Sequence, residues 1–299
     1  MRMEAKGGKG NKSKPKKKAQ GKKDKKNKKK AIKVPMAVTA DRHDLYERAV
    51  QDATSDVDFL IEAWQDVYGN DDVPRHFRED FCGTAAMCAE WIGRHPEATA
   101  EGFDIDAEVL DWGRKRHLAP LGGDAERIAL HEEDVRAPFD RPADVRCAHN
   151  FSYQILMRRQ DLRDYFAKCL EGMSTKGIFV IDLYGGSDAL TEMEEERVID
   201  DGAFTYMWEQ RAFQPATGKM DCFIHFRFPD GSKIEEAFAY SWRLYTPPEL
   251  RDLLLEAGFR EVRTFFESFD DDGDGTGVFE RDEQGPACEG WIGYMVAIP

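Results

Sequence analysis

Between Phe77 and Leu183 the chain alternates strand-like and helix-like segments, and nothing else in it constrains the fold as much. Phe77 to Phe81 reads as a short strand, Ala85 to Ile92 as a helix and Ala98 to Asp104 as a second strand. Ala107 to Leu118 reads as a second helix, with Val109, Leu110, Trp112 and Gly113 on or near one face. Ile128 to His131 and Asp144 to Asn150 follow as strands, and Leu162, Tyr165, Phe166, Cys169, Leu170 and Met173 mark another helix. Gly177 to Leu183 is a fifth strand whose apolar run suits a central parallel strand covered on both faces. Strands alternating with helices predict an α/β fold with a doubly wound sheet.

The flanks differ. Leu45, Val50, Val57, Phe59, Leu60, Ala63, Trp64 and Val67 recur at helical spacing, predicting one or two amphipathic helices that end at Gly69-Asn70. Beyond residue 190, Phe204 to Trp208, Met220 to Phe228 and Lys233 to Arg243 read as antiparallel strands, the last two joined across residues 229–232. Thr246-Pro247-Pro248-Glu249 has the spacing of a capping box, and its helix stops at Gly258. Val262 to Phe266 and Trp291 to Ala297 are the last strands, with a long acidic loop between them. In that loop Asp270 to Gly275 imitates a calcium-binding loop, but Arg281 stands where a bidentate glutamate is required, so it reads as acidic surface.

Charge divides the chain sharply. Residues 1–34 carry 16 Lys and Arg against two acids, a net of +14, and the remainder carries 27 bases against 55 acids, a net of −28. The first segment has no apolar periodicity to bury, so disorder is expected over residues 1–34 and one globular domain over 35–299. Such a tail serves as a nonspecific arm for RNA, ribosomes or another polyanion, or as a solubilising segment. No stretch approaches the roughly 20 apolar residues of a membrane-spanning helix, and the N-terminus lacks a secretory apolar core, which predicts a cytoplasmic location. The six cysteines are scattered without metal-site spacing, which argues against a disulfide framework or a structural zinc.

The first predicted strand runs into Arg78-Glu79-Asp80-Phe81-Cys82-Gly83-Thr84-Ala85, and Asp104 closes the second strand 21 residues after Gly83. A nucleotide-binding unit needs a backbone turn that lets the ligand approach the first helix, and a carboxylate about 20 residues on for the ribose hydroxyls. Phe81 and Ala85 occupy the outer glycine positions, which disfavours a pyrophosphate; a ligand without phosphates, such as S-adenosylmethionine, needs less room. Acidic residues also close the third strand at Glu133-Asp134-Val135, where Asp134 is placed to accept from an exocyclic amine. The fourth strand ends at His149-Asn150-Phe151-Ser152-Tyr153, over the switch point where open α/β sheets bind ligands.

Together these segments resemble the class I S-adenosylmethionine-dependent methyltransferases over roughly residues 40–299. The matching pieces are Glu79 to Ala85, Gly102 to Asp106, Glu132 to Val135, Ala143 to Val145 with Asn150 to Tyr153, Lys176 to Asp182, and Glu256 to Phe259. The Arg-Glu-Asp-Phe-Cys-Gly-Thr-Ala wording resembles a subgroup variant, and of the usual loop glycines only Gly83 remains. The resemblance implies a seven-stranded Rossmann-like sheet. It also implies an S-adenosylmethionine site formed by Glu79, Phe81, Gly83, Asp104, Ile105, Asp134, Val135 and Asn150.

Asn150 and Tyr153 share their positions with an Asn-Pro-Pro-Tyr motif of amino-methyltransferases, without its prolines. The inserted strands, over about 190–245, carry many aromatic residues and are expected to form a β lid, because ring faces attract a sulfonium. Tyr46, Trp208, Tyr240 and Arg243 are the expected acceptor contacts, with His225, His149 and Tyr153 as catalytic candidates and histidine the expected proton acceptor. Three functions stay open at this point. One is methylation of a small-molecule acceptor at N or O, the second a methyltransferase recruited to RNA or protein by its tail, and the third a non-catalytic nucleotide-binding scaffold.

Overall fold

The computed structural model describes residues 34–138, 141–270, 273 and 275–299. The chain divides into Met1–Val34 and Pro35–Pro299. The disorder expected of the lysine-rich tail lies outside the described residues, as do Asp271, Asp272 and Asp274 of the calcium-loop imitation. Among the described residues no helix is long and apolar enough to cross a membrane.

Three helices open the body: α1 (Met36–Thr39), α2 (Arg42–Val50) and α3 (Ala53–Tyr68). The Asp41 carboxylate accepts from the His43 and Asp44 N–H groups, and Asp52 accepts from Ser55, so each longer helix begins on a side-chain cap. The α/β repeat then runs β1 (His76–Asp80), α4 (Ala86–Arg94), β2 (Thr99–Asp104), α5 (Ala107–Gly113), β3 (Ile128–Glu132), β4 (Ala143–Ala148), α6 (Arg159–Glu171) and β5 (Met173–Gly185). An antiparallel set follows: β6 (Met193–Ile199), β7 (Phe204–Gln210), β8 (Lys219–Arg227) and β9 (Lys233–Arg243). The chain closes with α7 (Pro247–Ala257), β10 (Glu261–Phe269), β11 (Gly275–Arg281) and β12 (Trp291–Ile298).

The central sheet has the order β11-β10-β12-β5-β4-β1-β2-β3. Its β1 to β5 strands are parallel, and β12, β10 and β11 add antiparallel. Strand order reverses between β1 and β4, which puts the switch point at their carboxyl ends. α3 and α4 pack one face through Leu60, Trp64, Cys88 and Trp91. α6 and α7 cover the other through Leu162, Phe166, Leu250 and Leu254. The second sheet is β6-β7-β8-β9.

Four expectations are corrected. The central sheet has eight strands rather than seven, because β11 forms inside the expected acidic loop and pairs with β10. β6 was not foreseen at all. The helix expected to reach Leu118 stops being α-helical at Gly113 and continues as a π turn. The capping box is not made either. Thr246 gives no side-chain cap, and Glu249 instead receives the Arg243 guanidinium at 2.6 Å, leaving Pro247 as the start signal.

Candidate active site

After β1 the backbone doubles back into α4, and Phe81, Gly83 and Ala85 have φ of 57°, 51° and 58°. All three glycine positions of the motif are therefore left-handed, although only one is glycine. A left-handed L-residue costs roughly 1–2 kcal/mol and persists only where its surroundings over-determine it. Here they do. Cys82 N–H donates to the Phe103 carbonyl at 3.0 Å, and Ala85 N–H to Cys82 at 2.8 Å. Gly83 N–H donates to the Asp104 carboxylate at 2.9 Å. The Thr84 carbonyl presses on Gly113, where an added Cβ would lie 2.1 Å from its oxygen. A Cβ at Gly83 would meet nothing within 4 Å, so the turn keeps open space above it.

Asp104 also accepts from Asp106 N–H at 2.9 Å, and burial nonetheless raises its carboxyl above the ordinary value. Ile105 beside it is 73 % exposed, an apolar side chain with one face uncovered. The loop after β3 is fixed from beneath. The Val135 carbonyl accepts from Arg78 at 2.8 Å and from Arg146 at 3.0 Å. Both guanidinium groups also donate to Asp80, at 2.9 and 2.7 Å, and Tyr165 adds its hydroxyl at 2.7 Å. These three charged residues are almost completely buried. Asp134 sits differently from its expected role: both carboxylate oxygens are held by the Arg136 guanidinium, at 2.8 and 2.6 Å.

At the end of β4, Asn150 and Phe151 are again left-handed, each with φ of 56°. Asp182 holds this pair by accepting the Phe151 N–H at 2.9 Å. Burial pushes its carboxyl up to about 6, against the pull of nearby His149. Beneath lie two residues expected at the surface of the site. Glu79 is buried, accepts the Cys88 thiol at 3.2 Å, and is pushed by burial up to about 8, so it is mostly neutral at pH 7. His149 lies 3.6 Å from Asp56, an ion-pair distance beyond hydrogen-bond reach, and neither ring nitrogen has a hydrogen-bond partner among the described residues. Burial opposes its protonation, but Asp56, Asp182 and Glu79 outweigh it and raise the imidazole above its ordinary value.

A cavity of about 750 Å³ opens between these strand ends and the second sheet. Asn150 and Phe151 line it from the central sheet, Trp208, Tyr240 and Trp242 from the second, and Tyr46 from α2. Tyr240 stacks on Trp242 with ring centres 4.5 Å apart, and Phe151 lies 4.6 Å from Tyr184. Of the expected acceptor contacts, Tyr46, Trp208 and Tyr240 meet here. Arg243 does not line the cavity. It alternates to the other side of β9 from Trp242, donates to Glu249 and the Met157 carbonyl, and ties the sheet to α7.

His225 is also elsewhere. Its neighbour Ile224 lines the cavity, while His225 occupies the opposite face, in a separate hollow with Glu194 and Glu209. There it meets Glu209 at 3.0 Å and accepts the Glu236 N–H at 3.0 Å. Tyr153 is fully buried under α6, its hydroxyl donating to the Asp182 carbonyl at 3.0 Å. Sequence reasoning missed Tyr184, Gln210 and Glu195 on the cavity wall. For Glu195 no signal was available, because its strand was not recognised.

All six cysteines are free thiols; five are buried, and burial raises Cys82, Cys88 and Cys147 well above the ordinary thiol value. Cys288 alone is exposed, its thiol 3.0 Å from the carbonyl of Gly290, which borders the cavity.

No protein-family model matches the chain. No curated protein matches it in sequence. Solved structures do match in shape. An S-adenosylmethionine-dependent methyltransferase from Clostridium acetobutylicum ATCC 824 superposes with a TM-score of 0.63 at 19% identity, over 86% of this chain and 97% of that one. The CcbJ methyltransferase from Streptomyces caelestis gives 0.63 at 14% identity, over 86% and 96%. CalS10, an amino pentose methyltransferase from Micromonospora echinaspora solved with S-adenosylmethionine bound, gives 0.60 at 14% identity, over 89% and 98%. Strand order, switch point and second sheet thus build a Rossmann-like α/β chain with the fold of the S-adenosylmethionine-dependent methyltransferases.

Proposed function

We propose that this chain transfers the methyl group of S-adenosylmethionine to a small-molecule acceptor held in the cavity between the two sheets. One observation carries the reading: the Gly83–Asp104 cleft and the aromatic cavity lie at adjoining strand ends, with Asn150 and Phe151 between them. The residues fit the cofactor. The turn leaves open space above Gly83 and offers no roomy glycine cradle for phosphates, since Phe81 and Ala85 stand there. Asp104 would hold the ribose hydroxyls, and exposed Ile105 and the pinned Val135 loop would flank the adenine. When bound, the cofactor supplies a methyl carbon activated by its sulfonium.

The chain's own part is alignment and exclusion of water. Asp182 fixes the Asn150–Phe151 backbone, and the paired arginines fix the Val135 loop, so both walls of the cleft are set before ligands arrive. The second sheet acts as a roof over the acceptor. CalS10 acts on an amino pentose, and a cavity of about 750 Å³ has room for an acceptor of comparable size.

Calorimetry with S-adenosylhomocysteine tests the reading. Asp104→Ala removes hydrogen bonds to a charged acceptor worth roughly 1.5–3 kcal/mol each, so Kd should rise at least about tenfold. Unchanged affinity, or tight NAD binding by the wild type, would sink the assignment.

A further inference from the structure

We infer that the acceptor is an amine, and that the cavity gathers it from solution as an organic cation; this rests on the methyltransferase reading above. Three features of the cavity lead there. Its walls are aromatic, with Trp208 6.1 Å from Trp242 and Tyr240 stacked beside them, and ring faces attract cations. Its charge is negative: Asp188, Glu195, Glu196 and Glu267 line it against the single guanidinium of Arg197. Arg197 is turned to the Ala49 carbonyl and the Tyr206 ring. Glu196 is held by Arg227 in a two-pronged pair, and Glu267 accepts the Gly277 N–H. Asp188 and Glu195 have no ion-pair partner among the described residues, which leaves two carboxylates for a ligand cation.

The third feature is what the lining lacks. Among the described residues it contains no histidine, lysine or cysteine. The two histidines expected as bases are displaced, His225 to the outer face of the second sheet and His149 to a buried site with Asp56, which leaves Asp188 and Glu195 as the proton acceptors in the lining. An amine bound as its ammonium first gives a proton to Asp188, Glu195 or water, and the freed nitrogen lone pair then attacks. The nitrogen forms the N–C bond as the carbon–sulfur bond breaks, the sulfonium becomes a neutral thioether, and the positive charge moves to nitrogen. The resulting methylammonium then releases its proton to water. Asp188 and Glu195 stabilise the charge that grows on nitrogen.

Choline and its neutral isostere 3,3-dimethylbutan-1-ol separate charge from shape. Titrated calorimetrically into the full-length protein saturated with S-adenosylhomocysteine, choline should bind roughly tenfold or more tighter than the isostere. The Asp188→Asn, Glu195→Gln double variant, at one half-buried and one exposed position, should bring the two to within about twofold. In parallel, ¹³C-methyl-labelled S-adenosylmethionine offered with matched amino alcohols and diols should yield N-methyl and no O-methyl resonances. Equal affinity for the two probes, binding of neither at millimolar concentration, or an O-methyl product overturns the inference. If S-adenosylhomocysteine itself fails to bind, the methyltransferase reading falls first; if it binds and charge makes no difference, only the amine falls.

Discussion

All five residues of β1 are buried, whereas of the seven residues of β6 only Ile199 is. The two sheets put their charges to opposite uses. In the central sheet Arg78, Asp80 and Arg146 are sealed from solvent and spend their hydrogen bonds on one another and on the Val135 carbonyl. In the second sheet Glu194 and Glu195 are exposed on an edge strand and carry no ion pair among the described residues. Buried charge makes a rigid platform but is strongly destabilising when one partner is lost. Exposed charge contributes little to stability and stays available for ligands. Stability thus belongs to one sheet, and on the proposed reading acceptor choice belongs to the other.

The sharpest way to break this comparison is Asp80→Ala, which strands two buried guanidinium groups. It should cost roughly 3–5 kcal/mol, lowering the thermal midpoint by on the order of 10 °C. A circular-dichroism melt shifted by less than about 2 °C would mean that the buried cluster is not what holds the platform.

A smaller effect should appear with pH. Glu79 is raised to about 8 and Asp182 to about 6, so the folded chain binds more protons than the unfolded one between about pH 4 and pH 8. His149, raised above its ordinary value, adds stability that is full below that value and is lost as pH climbs through the raised one. All three act in one direction, and stability should fall as pH rises across this window. The midpoint of the wild type should drop by roughly 5 °C from pH 5 to pH 8. Glu79→Gln, which keeps the neutral shape, should flatten that slope. A wild-type midpoint that climbs toward pH 8 contradicts the buried, neutral Glu79.

The smallest effect is expected on the outer face of the second sheet. His225→Ala should leave S-adenosylhomocysteine and choline affinities unchanged and move the melting midpoint by no more than about 2 °C. A tenfold loss of turnover with intact binding would restore His225 as a proton acceptor and erase the distinction between the two faces.

Much of the platform was legible in the sequence because its signals are local. The turn at Gly83, the carboxylate at Asp104 and the apolar run ending at Asp182 each follow from residue type and spacing within one strand–helix unit. Strand parity could have gone further. Tyr240 and Trp242 must share one face of β9 and Arg243 the other, so they could not all line one pocket. Parity does not say which face meets the cavity, and for His225 only the packing of α2 against Ile224 and Phe226 decides it. β6 was invisible because Glu-Glu-Glu-Arg shows no apolar alternation; it is an edge strand whose charges guard its open side. The burial of His149 was equally hidden, since it depends on Asp56 and Tyr294 arriving from α3 and β12.

The distribution of thiols gives the protein a reporter of its own. Five cysteines are shielded by burial, and the sixth, Cys288, stands in solvent two residues from Gly290 on the cavity rim. A maleimide dye added to the native chain will therefore settle on one position without any engineering. On the proposed reading the dye stands beside the acceptor's cavity, where a change in its emission on adding acceptor would time entry separately from methyl transfer.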